Sequence, residues 1–150
     1  MAGIKIIFNN KQARFNYQIE DTLEVGIVLT GSEVKSLRNG AVQLKDSYVI
    51  VQRGELFLIK SHISPYKDSS YNNHEPERKR KLLAHAHEIE RLEHKITAAG
   101  MSLVATKIYF KKGIIKLELG LGKGKNLHDK RQSLKQKDAK REIARSLKNY

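Results

Sequence analysis

No cysteine occurs among the 150 residues, which excludes a disulfide framework, a thiolate zinc site, an iron–sulfur cluster and a cysteine nucleophile, and makes a reducing compartment the easier fit. Long apolar runs are also missing. The longest are short and interrupted by charge, and residues 1–20 carry no apolar stretch followed by small residues, so neither a membrane span nor a secretory signal is expected and the chain reads as cytoplasmic. Acidic residues are scarce, 16 against 29 Lys plus Arg, for a formal net charge of +13. That excess favours a polyanionic partner, either nucleic acid or an anionic membrane surface. The scattered acids offer no carboxylate cluster to hold magnesium, which places an RNA-processing nuclease last among the candidate functions. Hydrophobic residues make up 39% of the chain, enough over this length for one ordinary core, so a wholly disordered chain is excluded.

Motifs of catalysis are equally thin. Gly124-Lys125-Asn126 has neither the correctly placed first glycine nor the hydroxyl of a phosphate-cradling loop. Gly120, Gly122 and Gly124 follow a hairpin and precede a basic tail, so they read as a flexible junction rather than a dinucleotide fingerprint. His85 and His87 lie near His94 and near Glu88, Glu90 and Glu93, but on a helix the first two histidines point about 200° apart, and no zinc-binding spacing is present. Nothing places a nucleophile, base and orienting acid together, so no catalytic residues, metal or cofactor are expected.

Basic residues are concentrated at one end. Residues 123–150 hold ten basic and three acidic side chains, which divides the chain into a body, 1–122, and a basic C-terminal tail, 123–150. Within the body, β-branched and aromatic runs at 15–19, 25–29, 48–52, 56–60, 104–110 and 114–119 read as strands. Arg53-Gly54 and Lys112-Gly113 break two of these pairs as tight hairpin turns do. Thr30 with Glu33 forms a capping box opening a short helix that ends at Asn39-Gly40, with Val34 and Leu37 facing the core. A second helical pattern runs through Leu82, Ala86, Ile89, Leu92 and Ile96 to Gly100, and one long helix or two short ones fit it equally. Six strands with two or three helices on a small basic body point to a mainly β, antiparallel barrel of the oligonucleotide-binding kind.

Two basic clusters are phosphate-seeking by type: Arg78-Lys79-Arg80-Lys81, and Lys123, Lys125, Lys130 and Arg131. In the tail, Leu134, Ala139, Ile143, Ala144 and Leu147 form a narrow apolar stripe flanked by Lys135, Lys140 and other basic residues. Either it docks on the body as an ordinary terminal helix, or it is too charged to fold alone and becomes helical in a phosphate-lined groove; the second is favoured. Without large apolar anchors the tail is a poor membrane binder, and no membrane partner is expected.

Five stretches in order, NKQARFNY (10–17), EVGIVLTGSEVKSLRNG (24–40), DSYV (46–49), NHEPERKRKLL (73–83) and GKGKNLHDKR (122–131), resemble the SsrA-binding protein family, SmpB. The resemblance implies an antiparallel barrel with an oligonucleotide-binding-like core and a non-enzymatic task. Members bind the tRNA-like part of transfer-messenger RNA and escort it, with elongation factor Tu as an indirect partner, to ribosomes stalled without a usable codon. By position the resemblance puts Asn10, Lys11, Arg14, Glu24, Leu83, His85 and Lys116 on the RNA-binding face, and Lys81, Lys123 and Lys125 extend that set through the basic clusters. Without it, Glu24 reads as a strand-end acid and Leu83 as core. The segment Gly124, Lys125, His128, Asp129, Lys130 and Arg131 resembles the part that reaches the decoding centre of the ribosome, and the tail beyond, with Lys135, Lys140 and Ile143, would lie in the empty mRNA channel. Phe15, Gln12 and Ala84 depart from the family's common His, basic residue and Leu.

Overall fold

In a computed structural model, described over residues 3–67, 73–125 and 131, nine strands and three helices follow in the order β1 (Ile4–Asn9), α1 (Lys11–Asn16), β2 (Tyr17–Ile27), α2 (Gly31–Arg38), β3 (Val42–Gln43), β4 (Tyr48–Gln52), β5 (Glu55–Ile59), β6 (His62–Ile63), β7 (Arg80–Leu83), α3 (Ala86–Ala99), β8 (Ser102–Lys111) and β9 (Ile114–Gly124). Local chemistry sets the boundaries. Thr30 and Glu33 cap α2 reciprocally, and Gly100, at φ 64°, ends α3 in the left-handed conformation that a side chain resists. Both hairpins turn on two consecutive residues of positive φ, Arg53-Gly54 and Lys112-Gly113, the backbone twist that joins antiparallel strands without splaying them.

Seven strands form one antiparallel sheet in the order β1-β8-β4-β5-β7-β2-β9, and the further pairing of β8 with β9 closes six of them into a ring. β1 lies outside that ring, against the end of β8 that β4 does not reach. Alternate residues point inward, where Leu56, Leu58, Ile108, Leu117 and Leu119 fill the interior. Leu37 of α2 and Leu92 of α3 join the same apolar cluster from the helices. The mainly β, antiparallel architecture with three helices is therefore the one the sequence pattern anticipates.

Several boundaries differ from the sequence reading. Residues 17–19 and 25–27 of two expected strands belong to one bulged eleven-residue strand, β2, while Phe15 and Asn16 fall in α1 and Val28 and Leu29 follow the strand's end. Leu82 is not the first turn of a helix: it sits inward on β7, and a single helix begins only at Ala86. A four-residue strand with one apolar residue buried carries too little periodicity to be separated from the adjoining helix. β1, β3, β6 and α1 carry no sequence expectation at all. The glycine run is likewise no junction. β9 continues through Gly124, and a Cβ on Gly122 would stand 2.2 Å from the Gln18 carbonyl oxygen, while one on Gly120 would stand 2.8 Å from Thr106 Cγ2. These glycines permit a close approach of β2 to β9 rather than releasing the chain.

Candidate nucleic-acid interface

Strand register assembles the outer face of β7, β2, β9, β8 and β1 row by row. Leu83 lies opposite Gly26, Gly26 opposite Lys116, Lys116 opposite Tyr109, and Tyr109 opposite Ile6. The next row holds Glu24, Glu118, Lys107 and Asn9, and the row on the other side Ile114, Lys111 and Ile4. Because side chains alternate, residues two apart on each strand share the face, with rows about 7 Å apart. Three of the residues expected on one surface, Glu24, Leu83 and Lys116, are thus brought together from three strands. Gly26 makes room among them: a Cβ there would meet Leu83 Cβ at 3.2 Å.

Charge on this face is organised around two carboxylates. Glu24 accepts a short hydrogen bond from the Tyr109 hydroxyl, and the Lys111 Nζ lies 3.3 Å from both of its oxygens. The Tyr109 hydrogen bond, with Lys111 and Lys116 nearby, holds the Glu24 carboxyl below its ordinary range despite partial burial. Burial and the bond to Glu24 push the Tyr109 phenol up, so it remains a donor. Glu118 accepts from Thr106 Oγ1 at 2.6 Å and faces Arg14 at 3.6 Å and Lys107 at 3.8 Å. Around these groups stand exposed apolar side chains, Ile4, Ile6, Leu83 and Ile114, each more than half exposed. Leu83 is therefore surface, not core.

The remaining expected residues fall in different places. Asn10 is buried; its side-chain amide donates to the Leu44 and Ala105 carbonyls and its oxygen accepts from the Ala13 N–H. With every polar atom engaged, it anchors α1 and has nothing to offer a ligand. Lys11 and Arg14 are exposed on α1. His85 precedes α3 and stacks on His87, ring centroids 5.6 Å apart, instead of pointing away from it as two helical residues would. Lys123 and Gly124 are exposed at the far end of β9, about 24 Å from Lys116 at the strand rise. There the Lys125 N–H donates to the Asn16 carbonyl at the end of α1, so α1 spans between Glu118 and that second basic end. Arg131 is exposed; His128, Asp129, Lys130, Lys135, Lys140 and Ile143 lie outside the described residues.

The Arg78-Lys79-Arg80-Lys81 run is not the phosphate-seeking cluster its composition suggests. Strand alternation turns Arg80 inward, fully buried, where it donates to Glu33 Oε2 at 2.5 Å and to the Ser61, Arg78 and Pro76 carbonyls. Arg78 reaches the same carboxylate at 2.6 Å. Burial raises the Glu33 carboxyl, and the hydrogen bonds from Arg78 and the Thr30 N–H together with the Arg80 charge outweigh it, leaving it below its ordinary range. Lys79 sits 4.2 Å over the Phe57 ring, and Lys81 pairs with Glu55 at 3.2 Å. Lys81 alone of this set adjoins Leu83 as an exposed cation.

Sequence reasoning missed Tyr109, Lys111, Lys107 and Glu118. Their signal was present in the hairpin: once the turn is set at Lys112-Gly113, alternation places 107, 109 and 111 on one face with 114, 116 and 118.

Comparison with known proteins follows the same lines. The SmpB protein family model matches residues 7–149. The chain is 52% identical over 147 residues to the SsrA-binding protein of Trichormus variabilis, covering 97% of this chain and 95% of that one. It is 55% identical over 144 residues to the SsrA-binding protein of Syntrophobacter fumaroxidans, covering 96% and 89%. A chain from the solved structure described as "tmRNA-SmpB: a journey to the center of the bacterial ribosome" superposes with a TM-score of 0.67 at 44% identity, covering 85% of this chain and 93% of that chain.

Proposed function

The chain belongs to the SmpB protein family, and from that premise we propose that it binds the tRNA-like part of transfer-messenger RNA and brings it to stalled ribosomes, a binding and not a catalytic task. The observation that carries this reading is the row Leu83, Gly26, Lys116 and Tyr109, flanked by Glu24 and Lys111. Such a face combines what recognition of a folded RNA needs: ammonium groups for phosphates, a fixed carboxylate able to accept from a base edge, and apolar side chains against which an unstacked base can rest. Lys11, Arg14, Lys81 and His85 extend it. Asn10 contributes indirectly, by holding α1.

Lys123 and Lys125, counted with the RNA-binding set, stand with Gly124 at the opposite end of β9, and there a second contact, to the ribosome, begins. From there the basic tail, with His128, Asp129, Lys130 and Arg131 near the decoding centre and Lys135, Lys140 and Ile143 in the mRNA channel, senses an absent message by competing with it for one negatively charged groove. On this reading the protein works in the cytoplasm, beside the ribosomes. No described helix is long and apolar enough to cross a membrane. The test is competition binding of labelled transfer-messenger RNA against excess tRNA. Retained binding is expected; displacement of the label in proportion to bulk tRNA would make this a general RNA-binding protein instead.

A further inference from the structure

We propose that Tyr109 is a specificity-determining positioning residue of the RNA-binding face: its hydroxyl fixes the Glu24 carboxylate, and through it the Lys111 ammonium, beside Lys116 and Leu83. The inference rests on the RNA-binding reading above. Tyr109 lies within the five-strand face, on β8 between Lys116 and Ile6, and is only 4% exposed. Its ring therefore presents almost nothing to a ligand. Among the described residues its hydroxyl has one hydrogen-bond partner, Glu24, which lies on β2, beyond the intervening β9. A phenylalanine would fill the same space, so the hydroxyl serves the carboxylate.

The need for such a clamp follows from the surroundings. Glu24 faces Tyr109 and Lys111 from β8 and Lys116 from β9, with Glu118 directly opposite it and Arg14 and Lys107 beyond, on Glu118. Left to itself, an exposed carboxylate among several flexible ammonium groups samples several pairings and directs none of them, since exposed ion pairs gain little from any one geometry. A buried, rigid phenol fixes one rotamer. The carboxylate then draws Lys111 to 3.3 Å from both oxygens and keeps lone pairs directed outward for a base-edge donor. The same hydrogen bond is the chief reason that the Glu24 carboxyl stays below its ordinary range.

The experiment compares the full-length protein with its Tyr109→Phe, Glu24→Ala and doubly substituted forms. Binding to the tRNA-like part of transfer-messenger RNA and to tRNA is measured across salt, and the Glu24 carboxyl is followed by NMR across acidic pH. Tyr109→Phe should lower the preference for the tRNA-like RNA about tenfold, as expected for loss of one hydrogen bond to a charged group, with the salt slope unchanged. It should add nothing in the Glu24→Ala background, and the Glu24 midpoint should move up. Wild-type discrimination by Tyr109→Phe, or an equal loss in the Glu24→Ala background, overturns the proposal. If the unmodified protein itself shows no preference between the RNAs, the transfer-messenger RNA reading fails separately, and an unmoved Glu24 midpoint in Tyr109→Phe then overturns the clamp on its own.

Discussion

Glu24 and Lys116 stand one row apart on adjacent strands, yet their chemistries divide the work of recognition. An ammonium reads charge and a carboxylate cannot, so the two substitutions should separate in a salt titration. Lys116→Ala should weaken binding to both RNAs and lower the salt slope by about one. Glu24→Ala should reduce discrimination against tRNA with the slope little changed, and equal loss for both RNAs would remove its specific role. Glu33 shows the opposite use of a carboxylate. It is fully buried with Arg80, and Arg78 beside it is partly exposed, so it stabilises the body and touches no ligand. Its carboxyl titrates below the ordinary 4.5, so its contribution is complete above that pH and is lost as pH falls through the lowered value. Glu33→Gln should flatten that part of the acid-unfolding curve. At neutral pH it should cost about 3–5 kcal/mol, because Arg80 is left buried without its counter-charge; urea unfolding at pH 7 and at pH 3 measures both.

At the scale of elements, register makes the face and glycine makes register possible. Where β2 and β9 come closest, Gly122 leaves no room for a methyl group beside the Gln18 carbonyl. Gly122→Ala should therefore destabilise by at least the 1–3 kcal/mol typical of overpacking, whereas Gly31→Ala, at the start of α2 with open space around it, should stabilise by about 0.5 kcal/mol. Denaturant midpoints of the two variants distinguish a packing glycine from a merely permissive one. The short β7 has a comparable part: its alternation sends Arg80 and Leu82 inward and leaves Lys81 and Leu83 outside, so one tetrapeptide supplies both a buried ion pair and part of the ligand face.

For the whole molecule, the folded body and the basic tail divide carrying from sensing. A chain ending at Arg131 should still bind transfer-messenger RNA, since the ring of strands is complete by Gly124, yet fail to restart a ribosome stalled at a message end. Ile143→Pro should impair the same peptide-tagging assay without altering net charge, because proline breaks a helix. Normal tagging by either variant reduces the tail to an electrostatic tether. What the sequence alone determined were the properties that are local or additive: net charge, the capping box at Thr30, the two tight hairpins, the antiparallel β class, and the family through its ordered motifs. Only the tertiary structure decided which basic residues are available, because Arg80 and Lys81 are adjacent cations that strand alternation sends to opposite sides of β7. It also decided that the glycine run is strand and that Leu82 lies in β7 before a single helix, since a close strand approach and a four-residue strand leave no periodic signal. Tyr109 and Glu24 are 85 residues apart; their contact exists only because β9, the hairpin partner of β8, also pairs with β2 across a long stretch of chain, and no local pattern encodes such a distance.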